Sequence, residues 1–281
     1  MNISKRILKD IKNYKNSDFN KLGIFCHFNE SNIYNVKIMI IGNNNTPYEK
    51  GYYLFELVFP PNYPFSPPKV TYCTQGNNIR FNPNLYTNGK VCVSILNTWD
   101  GPGWTAVCSL NSVLLSLQSL LTENPIQNEP GWGNISINDP RAKQYNDIIR
   151  YSNMNIAVLK NITNTPPNFI CFKPTMIELF IENNTFFLDY IKTIKTLDKT
   201  IIRSQIYSLF VKIDYNQCFI DSCNILEKAN PPKKKPKMIR KAPNKNSKFY
   251  DIGFEQLSEN DGKLYIVSET KTKKKRWKLK K

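Results

Sequence analysis

Apolar and polar positions alternate with two periods over most of the chain. At the start, Ile3, Ile7, Leu8, Ile11 and Tyr14 recur at helical spacing opposite Lys5, Arg6, Lys9 and Lys12, which predicts an amphipathic helix capped by Ser4. Strand-like runs follow at residues 24–28, 33–41, 52–59 and 69–73, separated by the turn formers Gly42, Asn43, Asn44 and Pro47 and then Pro60, Pro61 and Asn62. A helix followed by a meander predicts an α+β fold, a four-stranded antiparallel sheet with helices on one face. A second helix is predicted over residues 111–122, burying Val113, Leu114, Leu117, Leu120 and Leu121. A third opens with Asp139 as cap and Pro140 at the first helical position, and carries Tyr145, Ile148, Ser152, Ile156 and Leu159 along one side. After the breaker Thr165, Pro166 and Pro167, helical patterns at 176–194 and 200–212 predict a helical appendix.

The periodicity fades near residue 229, and there the charge changes too. The 281 residues hold 39 Lys and Arg against 22 Asp and Glu, a net +17 that invites a nucleic-acid or membrane-surface reading. Residues 1–227 carry 21 basic and 17 acidic groups, whereas residues 228–281 carry 18 and 5, so most of the excess belongs to the last fifth. That stretch runs through Pro231, Pro232 and Lys233 to Lys237 and ends in a run from Lys273 to Lys281 broken by Trp277 and Leu279, a composition expected to stay flexible. Within it, residues 248–254 and 263–267 flank Glu259, Asn260, Asp261 and Gly262 as a possible hairpin that would order only against a partner or the main domain. The basic tail is a candidate surface for nucleic acid, with Trp277 stacking on bases.

With 41% hydrophobic and 12% aromatic residues, the chain can build a sizeable core and is not disordered throughout. No apolar run reaches the roughly 18 residues of a membrane span, and the N-terminal helix lacks the uninterrupted apolar stretch of a secretory signal, so a cytoplasmic or nuclear location and no membrane partner are expected. Seven scattered cysteines form neither a disulfide framework nor a zinc pattern, and no metal or bound cofactor is expected. The single histidine, His27, lies in the alternating run at 24–28 and is expected on the solvent face of a strand. A nucleophilic cysteine here would therefore work without a histidine base.

Cys92 is the thiol that follows an irregular stretch. It stands after Asn82, Pro83, Asn84 and the turn formers Thr87, Asn88 and Gly89, and before the Leu-rich second helix. Upstream lies Tyr63, Pro64, Phe65, Ser66, Pro67, Pro68, Lys69 and Val70; downstream lie Trp104, Thr105 and Ala106. In this order and spacing the chain resembles the ubiquitin-conjugating enzymes. The run Thr98, Trp99, Asp100, Gly101, Pro102, Gly103 and Trp104, with Asn128, Glu129, Pro130, Gly131 and Trp132, is most similar to the Z class and to the conjugating domains of the O-type and inhibitor-of-apoptosis-linked enzymes.

The resemblance implies a ubiquitin-conjugating core over residues 1–162; the periodicity adds a helical C-terminal extension over 163–228, and the charge a basic tail over 229–281 that the resemblance leaves unexplained. The resemblance also implies that Cys92 takes ubiquitin or a ubiquitin-like modifier from an activating enzyme as a thioester and passes it to a lysine amine. ATP is consumed upstream, so the chain needs none bound. Asn84 then stabilises the oxyanion or holds the loop that shapes the site, and Glu129 matches the gate carboxylate that orients the amine, with Asn128 or Glu123 as substitutes. The family's usual His-Pro-Asn is Asn82-Pro83-Asn84 here, so an amide must make the bond the histidine usually makes. Ser94 stands where many relatives carry Asp. Lys5, Arg6 and Lys9 match the surface that docks the activating enzyme; Phe65, Trp104 and Ala106 match the loops gripped by a ligase, and a protein substrate completes the partner set. Two other readings compete: a non-catalytic ubiquitin-binding adaptor of the same shape, against which Cys92 speaks, and a nucleic-acid-binding protein working through its tail.

Overall fold

The computed structural model describes residues 3–229 and 242–280, and the chain divides into two compact units, Met1–Asn230 and Pro231–Lys281. In the first unit α1 (Ile3–Lys15) buries Ile7, Ile11 and Tyr14. Leu8, expected on that face, is exposed, because one residue past Ile7 is a rotation of about 100° away from the stripe. Ser4 falls inside the first turn and not at its cap. Four strands follow, β1 (Ile24–Asn29), β2 (Asn32–Ile41), β3 (Tyr52–Val58) and β4 (Lys69–Tyr72), paired antiparallel in chain order. Ile38 faces Phe55 and Val36 faces Leu57 across β2 and β3, so these four share the face that carries the core.

Above that face lie α2 (Leu110–Gln118), opened by a Ser109 and Ser112 capping box, and α3 (Pro140–Ser152), whose cap Asp139 accepts from the Arg141 amide. α3 runs on through π-helical turns, Asn153–Lys160, into the short α4 (Asn161–Thr163). The wide turns bring Asn153 into the core, where Tyr53 Oη donates to its Oδ1 at 2.6 Å and its Nδ2 donates to the Glu49 carbonyl at 2.9 Å.

Tyr52, Leu54 and Met39 belong to the other face by alternation, and all three are buried. The extension covers them. Tyr52 Oη donates to the Met176 carbonyl at 3.1 Å in α5 (Lys173–Glu182), and Lys37 Nζ lies 5.7 Å from the Phe169 ring just before it. The pattern at 176–194 is two helices, since α5 stops at Asn183 and α6 (Asn184–Ile194) starts anew. The helix expected over 200–212 is instead a hairpin, β5 (Ile201–Arg203) with β6 (Phe210–Lys212). Paired Ile202 and Val211 prefer extended backbone, and Tyr207 and Ser208 both take positive φ, which no helix tolerates. A last helix, α7 (Tyr215–Ala229), adds Cys218 and Ile225 to the same core.

The second unit departs from the expected flexible tail. Residues 242–280 form a three-stranded antiparallel sheet of β7 (Glu255–Leu257), β8 (Leu264–Glu269) and β9 (Lys275–Leu279). Tyr265, Val267 and Trp277 make a small core with Ala242 and Tyr250 packed against it. Trp277, expected to stack on bases, is instead buried, its indole donating to the Lys245 carbonyl at 2.8 Å. The third strand makes the difference, because it supplies the side chain that a two-stranded hairpin lacked. The predicted lysine run at 233–237 lies outside the described residues.

Candidate active site

Between β4 and α2 the chain leaves regular structure, and backbone groups must find partners locally. Residues 82–92 solve this by folding back on themselves, with isolated bridges joining Asn82 to Leu85 and Leu85 to Val91. Gly89 (φ 90°) permits the return; a Cβ there would lie 2.9 Å from Thr71 Cγ2. The result puts Asn84 beside Cys92. The Cys92 amide donates to the Asn84 carbonyl at 2.9 Å, and Asn84 Nδ2 donates back to the Cys92 carbonyl at 2.5 Å. Cys92 is 2% exposed and begins the descent into a 3-10 turn, Ser94–Leu96, pinned by Thr98 Oγ1, which accepts from the Val93 amide at 3.0 Å.

Asn82 braces this loop from below. Its Nδ2 donates to Leu120 O at 2.8 Å and to Tyr48 Oη at 3.1 Å, while its Oδ1 accepts from the Asn84 amide at 2.9 Å and from Asn128 Nδ2 at 3.5 Å. A buried amide with both ends occupied thus stands where the motif resemblance expects a histidine. Asn82→Ala is expected to cost about 2 kcal/mol, because it leaves the buried Asn84 amide without its acceptor and takes one partner each from the Tyr48 hydroxyl, which keeps the Phe81 carbonyl, and the Leu120 carbonyl, which keeps the Thr122 amide. Urea unfolding followed by tryptophan fluorescence measures it; an unchanged midpoint would show that water replaces the amide.

Glu129 follows the 3-10 turn Pro125–Asn128, and its carboxylate accepts a hydrogen bond from Tyr207 Oη in the β5–β6 turn. It is Asn128, its neighbour, that touches the Asn82–Asn84 segment directly. Glu123, the other substitute, is exposed and offers its carbonyl to Asn146. Two residues that the sequence did not single out complete the surroundings, Arg80 and Tyr207. Arg80 Cζ lies 3.9 Å from the Tyr86 ring and 4.2 Å from the Tyr207 ring, and its Nη2 donates to the Pro83 carbonyl at 2.6 Å. Arg80 stands two residues before the Asn82-Pro83-Asn84 run; Tyr207 lay in a segment read as helix.

Four of the other six thiols are dampened by burial. Desolvation raises Cys73 to about 11 and Cys218 to about 12, and pushes Cys26 and Cys171 up as well. Cys26 lies in β1, as expected, and Cys73 one residue past β4. Because the thiolate is the nucleophile, a raised value leaves less of it at pH 8, and reactivity returns only as pH climbs toward the raised value. Alkylation of the native chain at pH 8, mapped by mass spectrometry, is expected to modify these four last; early labelling of Cys73 or Cys218 would contradict it.

A family model described as "Ubiquitin-conjugating enzyme" matches residues 6–150, just over half of the chain. The chain belongs to the ubiquitin-conjugating enzyme family. It is 47% identical over 137 residues to "Ubiquitin-conjugating enzyme E2 Z" of Xenopus tropicalis, covering 48% of this chain and 44% of that protein. The Homo sapiens protein of the same name is 44% identical over 153 residues, covering 54% and 43%. The Mus musculus "Dual E2 ubiquitin-conjugating enzyme/E3 ubiquitin-protein ligase BIRC6" is 37% identical over 195 residues, covering 66% of this chain and 4% of its own length. The matched part is therefore less than half of each of these relatives.

Within this ubiquitin-conjugating domain the residues expected at partner surfaces divide. Lys5 and Lys9 are exposed, and so is Phe65, at 72%. Arg6 is not a free basic side chain: its Nε donates to Asp10 at 3.2 Å, Nη1 to Ala106 O at 2.9 Å and Nη2 to Cys108 O at 2.6 Å. Those bonds turn it inward, so Arg6 ties α1 to the loop before α2. Trp104 is also buried, its indole donating to the Pro64 carbonyl at 2.6 Å, so it joins the two loops and does not project from them. Ala106 is exposed at the same loop, beside Val107 at 89%. His27 is exposed on β1 opposite Lys37.

Proposed function

We propose that the protein is an active ubiquitin-conjugating transferase whose acceptor is Cys92. The Cys92 thiolate attacks the carbonyl carbon of a ubiquitin or ubiquitin-like thioester on an activating enzyme; the activating enzyme's thiolate leaves, and one thioester replaces another. A lysine amine of the substrate then attacks the new thioester, the tetrahedral oxyanion collapses with loss of the Cys92 thiolate, and the nitrogen sheds a proton as the amide forms. The first exchange is nearly isoenergetic and the second runs downhill, so the protein's task is positioning and charge stabilisation, without metal or bound cofactor.

The observation that carries this reading is the reciprocal pair of bonds between Cys92 and Asn84. It favours Asn84 as the residue that holds the acceptor loop, since one of its two amide N–H groups is spent on the Cys92 carbonyl. Glu129 would orient the attacking amine. Exposed Lys5 and Lys9 suit an acidic surface on the activating enzyme, and Phe65 with Val107 supplies the apolar contact a ligase would cover. The test mixes the chain with activating enzyme, ATP and ubiquitin and looks on a gel for an adduct that thiol reductant removes. No adduct with wild type would refute the proposal.

A further inference from the structure

The extension reaches the active-site loops through one side chain. Tyr207 occupies the β5–β6 turn at φ 57° and ψ 17°, and Ser208 follows at φ 51°. Two adjacent non-glycine residues in the left-handed region mark a strained turn that the surroundings must hold in place. Contacts on three sides do so. The ring packs edge-on against Tyr145 with centroids 6.1 Å apart, and it lies 4.2 Å from the Arg80 guanidinium, which has Tyr86 at 3.9 Å on its other face. The hydroxyl donates to the Glu129 carboxylate. Burial and that bond raise the phenol well above its usual range, so it remains a donor throughout neutral pH.

Each partner leads back to the acceptor loop. Arg80 donates to Pro83 O, between Asn82 and Asn84; Asn128, beside Glu129, donates to Asn82, which in turn accepts from the Asn84 amide. We propose that Tyr207 is a positioning residue for lysine transfer: from the C-terminal extension its hydroxyl fixes the Glu129 carboxylate while its ring clamps Arg80 against the turn that holds Cys92. This rests on the transferase reading above, and it places one determinant of the transfer step outside the segment matched by the family model, which ends at residue 150. A carboxylate with no donor samples several rotamers, whereas one held by a half-buried phenol presents a single face to an incoming amine.

The test separates the hydroxyl from the ring. Tyr207→Phe keeps the stack on Arg80 and loses only the donor. It is expected to load Cys92 and unfold at the wild-type midpoint, yet to discharge to free lysine about tenfold more slowly, the scale of one hydrogen bond to a charged group. On a Glu129→Ala background the same change is expected to alter discharge by less than about twofold, because the group it acts through is gone. Wild-type discharge by Tyr207→Phe, or an equal slowing on both backgrounds, would overturn the proposal. Amide exchange of the full, unloaded chain gives a second readout. Tyr207→Phe is expected to speed exchange over residues 126–132, and Tyr207→Ala over both 80–86 and 126–132, with β2 and β3 unchanged. Unaltered exchange over 126–132 in Tyr207→Phe would overturn the latch even for a chain that takes no ubiquitin; failure of wild type to load would count against the transferase reading instead.

Discussion

Cys92→Ser, mixed with activating enzyme, ATP and ubiquitin, is expected to give an adduct that survives thiol reductant, while Cys92→Ala gives none and wild type gives one that reductant removes. The serine hydroxyl occupies the same place in the loop, and the bonds that hold that place are backbone and Asn84 bonds that the substitution leaves intact. It is a poorer nucleophile, so the oxyester forms slowly, but it is a far poorer leaving group too, and the adduct accumulates. Loss of the wild-type adduct in Cys92→Ala is total in this account. Four of the six other cysteines have thiols raised by burial, which leaves them little thiolate at neutral pH. A reducible adduct persisting in Cys92→Ala would move the acceptor to another thiol and end the assignment.

Asp10→Ala is expected to lower stability by about 3 kcal/mol. Asp10 sits on the buried side of α1 at 2% exposure, beside the apolar Ile7 and Ile11. Its Oδ1 accepts from Arg6, and its Oδ2 from the Tyr63 hydroxyl and from the Leu110 amide at 3.4 Å, the first residue of α2. Removing the carboxylate leaves the Tyr63 phenol and the Leu110 N–H facing an apolar gap and takes one of three acceptors from the Arg6 guanidinium, which keeps the Ala106 and Cys108 carbonyls, and the loss of partners outweighs the loss of the pair itself. Urea unfolding should show the fall without a change in slope, Asp10→Asn should recover part of it, and Lys9→Ala, one residue along on the exposed face, should leave the midpoint in place. A neutral Asp10→Ala would mean that water enters and satisfies all three groups.

Much of the first unit could be read from the chain because each local preference agreed with its final place. The runs at 24–28, 33–41, 52–59 and 69–73 fall within a residue or so of β1 to β4, and Asp139 with Pro140 marks the start of α3. That Cys92 follows a loop could be read as well, since the turn formers Asn82, Pro83, Asn84, Thr87, Asn88 and Gly89 precede it. The extension was harder because its apolar residues are dense enough to satisfy either period: Ile201, Ile202, Phe210 and Val211 fit a helix on paper, and only the left-handed turn between them settles for a hairpin. Tyr207 lies 78 residues from Glu129, and nothing local in a sequence announces a bond of that span. In the second unit the high lysine content masked three apolar side chains, Tyr265, Val267 and Trp277, that suffice for a small core once a third strand pairs. Arg6 and Trp104 were legible as residues of interest but not in direction, since a helix face or loop position does not say whether a long side chain folds back on its own backbone.

The third strand of that small sheet gives the surplus lysines a definite position. Among the described residues β9 pairs with no strand but β8, and its far side is an edge met by the Ser247 hydroxyl at the Lys275 carbonyl. Arg276 and Lys278 stand exposed along β9, while Lys275 pairs with Asp251 and Lys280 with Glu255 of β7. A second copy of this strand laid along that edge would bring Arg276 and Lys278 against their own kind, so the basicity that composition assigns to a tail acts here as a guard against strand addition, and what looks like an affinity for acidic partners is equally a refusal of its own kind.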